Sequence, residues 1–174
     1  MKKTTLIALT ALAAIAMLVP AGSAMAQSST SANANATATI VTPITLTRTA
    51  DLRFGEVVAS TADGTVVITS GGAKSATGGV TALSGLPHGA AAFTVGGGAN
   101  RTFSITIPTT DVTITKIAST ETMTVNAFTS SLGSSGTLSS GGAATLNVGG
   151  TLNVGASQTT GNYSGEFSVT VAYN

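Results

Sequence analysis

GEFSVTVAYN, residues 165–174, alternates without a break. Phe167, Val169, Val171 and Tyr173 fall on one side of an extended chain, and Glu166, Ser168, Thr170 and Ala172 fall on the other. That period of two is the signature of a half-buried β-strand. A strand with large apolar side chains along one face is not stable alone in water. The segment is therefore expected inside a sheet and not as a loose tail. This chain describes its architecture and its means of assembly more clearly than any chemistry.

Upstream, the same grammar repeats. Short β-type runs separated by Gly- or Ser-rich punctuation read as strands over Leu52–Val58, Gly64–Thr69 after an Asp63-Gly64 turn signal, Ala91–Val95, Thr102–Ile107, Val112–Ile117 and Thr122–Phe128. Ala144–Val154 carries Leu146, Val148, Leu152 and Val154 in phase around Gly149-Gly150. The duplicated Leu-Asn-Val-Gly at 146–149 and 152–155 has too few copies for a solenoid. It reads as a hairpin or as one long strand with a glycine bulge. A further run from Ala36 to Leu46 contains Pro43, which cannot donate to a ladder and so implies an edge or a switch between sheets. No amphipathic helix is evident after residue 26. The expected fold is all-β, an immunoglobulin-like or related Greek-key β-sandwich of about 8 to 10 short strands.

The chain begins differently. Lys2 and Lys3 precede an apolar run from Leu6 to Pro20 and a small-x-small site at Ala24-Met25-Ala26, the pattern of a bacterial secretory signal cleaved before Gln27. No later segment reaches the ~20 apolar residues a bilayer requires, so the mature protein is expected to be exported and without a membrane span. Residues 27–36 are small, polar and uncharged, a flexible arm by composition. The sandwich is assigned to residues 37–174.

After residue 26 there remain five cationic and six anionic side chains, none of them clustered, and no cysteine. Nucleic-acid binding has no support in so sparse a charge. Stability without disulfides must come from burial and backbone hydrogen bonds.

Chemistry has few candidates. His88 is the single histidine, set in a Leu86-Pro87-His88-Gly89 loop, and no serine sits in a G-x-S-x-G elbow. Asp51, Glu56 and Asp63 match no calcium-loop spacing and have Arg48 and Arg53 as neighbouring partners. Gly71-Gly72-Ala73-Lys74-Ser75 lacks the glycines of a phosphate loop, and Gly96-Gly97-Gly98 lacks dinucleotide spacing; both read as turns. Asn100-Arg101-Thr102 and Asn162-Tyr163-Ser164 match the glycosylation triplet by chance. The residues point to no enzyme, no cofactor, no metal and no small-molecule ligand.

Leu52-Arg53-Phe54-Gly55, Gly64-Thr65-Val66, Val148-Gly149-Gly150-Thr151-Leu152 and the alternation from Gly161 to Tyr173 together resemble the exported bacterial family called domain of unknown function 4402. More distantly, the L-x-F-G segment and the last strand look like spore-coat-protein-U-type pilins of archaic chaperone-usher pili. That resemblance implies a sandwich lacking one strand, with periplasmic chaperone, usher and like subunits as partners and the cell surface as destination. The cysteine pair usual near the first strand of such pilins is missing. Phe167, Val169, Val171 and Tyr173 would then be the chaperone and assembly strand. Ala32, Ala34, Ala36, Ala38 and Ile40 would be the alternating positions of a donor arm, although alanines bury little. The competing expectations are that residues 36–46 are the first strand of a complete sandwich, or that the chain is a self-contained binding module for carbohydrate or protein. In the module reading Phe54, Phe93 or Phe128 would form an exposed platform, where core packing is the plainer expectation.

Overall fold

A computed structural model describes residues 28–174, and every helix-or-strand element among them is a strand. Residues 28–38 form one unit without regular secondary structure. The other, Thr39–Asn174, holds β1 Thr45–Ala50, β2 Val57–Ile68, β3 Lys74–Ala82, β4 Ala91–Gly96, β5 Thr102–Thr106 and β6 Val112–Lys116. These are followed by β7 Thr122–Ser130, β8 Ser135–Thr137, β9 Ala143–Val154, β10 Tyr163–Ser164 and β11 Thr170–Tyr173. The proposed leader, Met1 to Ala26, lies outside the described residues.

β9 is the axis. Leu146, Val148, Leu152 and Val154 alternate onto one face and are all buried, so the two Leu-Asn-Val copies are two inward pairs on a single twelve-residue strand. One edge of β9 pairs with β7 over Val148–Asn153. The other edge is shared: β4 pairs with Ala143–Val148, and β2 pairs with Gly150–Val154. The partners change at Gly149. A Cβ there would stand 2.2 Å from the Ile68 carbonyl oxygen, so only glycine lets the end of β2 come in against β9 at this point. The extra residue of the expected bulge sits on the partner strand: Ala127 and Phe128 of β7 oppose Gly150 alone, with Ala127 at φ 45°.

The larger sheet runs β1-β4-β9-β7-β6-β10, with the β2–β3 hairpin joined to β9. The smaller runs β11-β5-β8. One apolar cluster joins the inward residues of both, with Phe103 and Ile105 of β5 packed with Phe93, Val125, Phe128 and the β9 set. The fold is an all-β sandwich of eleven strands. The two shortest, β8 and β10, have three and two residues and account for the excess over eight to ten.

Three local expectations change. The first strand begins at Thr45 and not at Ala36; Pro43, lacking an N–H, stands just before the paired segment. Asp63-Gly64 is not a hairpin turn. β2 passes through it, with residues 60–63 bulged out between the Ala59↔Val80 and Gly64↔Gly78 pairs, and the turn comes at Thr69–Ala73, where Thr69 N–H donates to the Ala73 carbonyl at 2.9 Å. The strand read from Leu52 starts only at Val57, and Arg53 contributes an isolated bridge to Gly89. β3 (KSATGGVTA) escaped notice because its small side chains carry no apolar period.

The outer surface of the larger sheet is built from hydroxyls and amides. Cross-strand register aligns Thr77, Thr65, Asn153, Thr124 and Thr113 over five strands. Thr65 and Thr77 hydroxyls meet at 2.8 Å, and Asn153 Nδ2 donates to Thr124 Oγ1 at 3.3 Å. The one ion pair among the described residues, Arg48–Asp51 at 2.7 Å, is about two-thirds exposed and contributes little.

Two outcomes follow from this arrangement. Gly149→Ala should cost about 3 kcal/mol or more in denaturant unfolding, while Gly141→Ala, whose Cβ would meet nothing closer than 3.7 Å, should stay within about 0.5 kcal/mol. Raising salt from about 0.05 to 0.5 M should leave the unfolding midpoint nearly unchanged, because burial and not charge holds the sheets together.

Candidate functional site

The residues 165–173 cross from one sheet to the other. Tyr163 and Ser164 pair with β6 of the larger sheet, and Thr170–Tyr173 pair with β5 of the smaller. Phe167, Val169, Val171 and Tyr173 all pack half-buried against the core, while Glu166, Ser168, Thr170 and Ala172 are exposed. The Phe167 ring lies 5.0 Å from that of Phe128, tilted by 35°. The alternation in sequence is thus the alternation of the fold.

The backbone of this segment is less fully used than its side chains. Pairing with β5 stops at Thr106↔Thr170, and the ladder would next require Pro108, which has no N–H to offer. On the paired part, Asn174 N–H donates to the Thr102 carbonyl. Antiparallel parity then turns Ala172 and Thr170 toward β5 and the N–H and C=O groups of Val171 and Tyr173 away from it. Among the described residues no strand pairs with that outer edge. Beside it lies β1, whose approach carries Ile44 and Leu46 half-buried on the same core. β11 and β1 touch without a ladder and leave a seam between the two sheets.

Tyr173 spans the seam. Its phenol donates to the Thr42 carbonyl at 2.8 Å and accepts the Gly98 N–H at 2.7 Å. Sequence reading placed Tyr173 on the inward face but had no means of finding these partners, 131 and 75 residues away. A depression of about 320 Å³ adjoins it, lined by Val41, Asn100, Arg101, Thr102, Tyr173 and Asn174. A second, of about 330 Å³, lies beyond β8 along Ile105, Ile107 and Ser134. Neither lining contains a histidine or a carboxylate side chain.

Of the proposed donor positions, Ala32, Ala34, Ala36 and Ala38 take no regular secondary structure, and Ile40 is 98% exposed. His88 is exposed in its loop. Asp51 pairs with Arg48, and Asp63 accepts the Ala156 N–H at 2.6 Å. The Glu56 backbone carbonyl accepts from Lys74 Nζ at 2.9 Å, and Leu83 shares the same ammonium at 3.3 Å. Burial holds the Lys74 ammonium below the usual lysine range, against an opposing pull from the Glu56 charge. Of these three carboxylates only Asp63 fastens a distant segment, and no group of three or more His, Asp or Glu fit to hold a metal occurs among the described residues. Phe93 and Phe128 are buried and Phe54 packs on the core, so none forms a platform. Asn100 and Asn162 sit exposed at the approaches to β5 and β10.

Phe167→Ala should lower stability by about 1–3 kcal/mol, less than a fully buried phenylalanine would, because part of its ring already faces water. Glu166→Gln, its exposed neighbour, should leave the thermal midpoint unchanged.

A family model described as Domain of unknown function (DUF4402) matches residues 44–173. No curated protein and no solved structure matches the chain. The matched span starts immediately before β1 and runs through the last residue of β11, so it covers both sheets and the seam between them. On that match the chain belongs to the DUF4402 family.

Proposed function

We propose that the protein is an exported structural or adhesive surface subunit, pilin-like, with an immunoglobulin-like sandwich that assembles by accepting a β-strand along β11. The observation that carries this reading is the outer edge of β11: apolar side chains seated in the core, and backbone groups of Val171 and Tyr173 with no strand beside them. An edge of that kind recruits another extended segment, because ladder hydrogen bonds supply affinity and alternate side chains supply fit. The alternating Ala32, Ala34, Ala36, Ala38 and Ile40 offer a segment of that form from a second copy. Small residues match a seam narrow enough for β1 and β11 already to touch. Each alanine adds only about one methyl of burial, so the backbone ladder must carry most of the binding. Passage through the periplasm would require a chaperone to cover the edge, and an usher to exchange it for the next subunit.

The test uses residues 27–174 made without a chaperone. The expected result is slow polymerisation, seen by light scattering and as ladders on gels run without boiling, and deletion of residues 27–40 should abolish polymers while leaving a folded acceptor. A chain that stays monomeric at high concentration and unfolds in one cooperative step would instead mark a self-contained binding module.

A further inference from the structure

We infer that the Tyr173 phenol is a latch closing the seam between β1 and β11, and that its release sets the rate at which the seam accepts a strand. The inference rests on the reading of β11 as an assembly edge and adds a control to it. Between the β1 approach, residues 39–50, and residues 165–174, the bond from the phenol to the Thr42 carbonyl is the only hydrogen bond of the structure. The same oxygen accepts the N–H of Gly98, which lies in the connection from β4 to β5 and so ties the larger sheet to the smaller. One oxygen therefore binds three segments: the end of β11, the chain leading into β1 and the crossover between the sheets.

The neighbourhood keeps room for it. Gly97 has no side chain, and a Cβ there would stand 2.2 Å from the phenolic oxygen. β1 is the strand of the larger sheet that β11 touches, and on this inference a strand adding to the outward groups of Val171 and Tyr173 enters on that side. Thr42 has to move for that, and the phenol has to give up its acceptor. Elsewhere β1 and β11 are held only by apolar contact, which is non-directional and yields to an incoming apolar strand without leaving a polar group unpaired. The Tyr173–Thr42 bond is the element of the seam that must break before the edge is free.

Tyr173→Phe keeps the ring and removes the latch, and Gly97→Ala keeps the tyrosine and displaces its oxygen. Both are made in the chain of residues 27–174, alongside Leu146→Ala, which destabilises the core and takes no part in the phenol's hydrogen bonds. The probe is a fluorescent synthetic peptide of residues 27–41, with uptake followed by anisotropy and amide exchange at Gly98 followed by NMR. Loss of two neutral hydrogen bonds predicts uptake about tenfold faster in Tyr173→Phe and Gly97→Ala, with Gly98 exchange raised in parallel. The inference is overturned if Gly98 exchange in Tyr173→Phe equals that of the parent chain, if exchange rises while uptake does not, or if Leu146→Ala accelerates uptake equally. Failure of every chain to take up peptide or to polymerise would sink the assembly reading itself. Gly98 exchange still shows separately, in that case, whether the phenol clamps the seam.

Discussion

The burial of one face of β9 is the constraint to which the rest of the fold answers. Leu146, Val148, Leu152 and Val154 enter the core from a single strand, and three neighbours must be brought against its two edges. Each of these side chains contributes about 1.5–3 kcal/mol when fully removed from water. That gain is available only if β2 and β4 can share an edge, which the backbone permits at Gly149 because nothing projects there. The β7 bulge beside Gly150 is the matching adjustment on the opposite edge, turning Phe128 inward to fill the space that glycine leaves.

The smaller sheet is a cover of three strands over this frame, and a cover that narrow leaves its margins half-buried. Phe103 of β5 is fully enclosed, whereas Phe167, Val169, Val171 and Tyr173, one strand further out, keep part of their surface in water. A sandwich edge that is apolar inside and unpaired outside is intrinsically adhesive. Here the exposure is moderated by a phenol bridging the gap and by contact with β1. The same features that finish the core thus shape the edge proposed to accept another strand.

Charge has almost no part in this. With one exposed ion pair and outer rows of threonine and asparagine, the larger sheet presents a neutral hydrogen-bonding surface. Its charged side chains act singly. Lys74 fastens the loop after β3 to the start of β2, and Asp63 fastens the loop after β9 to the β2 bulge. Such contacts position loops.

Sequence alone determined the class of structure and the faces of its strongly alternating strands. The apolar period in 165–174 and 144–154 reports local geometry, which side chains at i and i+2 must share, whatever they are packed against. Those assignments therefore survived into the fold; of the two glycine runs read as turns, Gly71-Gly72 lies in the β2–β3 turn and Gly97-Gly98 in the connection after β4, whereas Lys74-Ser75 open β3 and Gly96 ends β4. Strands without that period were silent: β3, apart from Lys74 and Val80, is built of serine, alanine, threonine and glycine, and is held by the ladder β2 offers it. Tertiary structure alone decided that residues 60–63 bulge from β2 instead of Asp63-Gly64 making a turn, that one edge of β9 is shared between β2 and β4, and that Tyr173 joins Thr42 to Gly98. Each of these depends on backbone groups distant in the chain coming within hydrogen-bonding range. Such proximity follows from how the sheets stack and leaves no mark in the local order of residues.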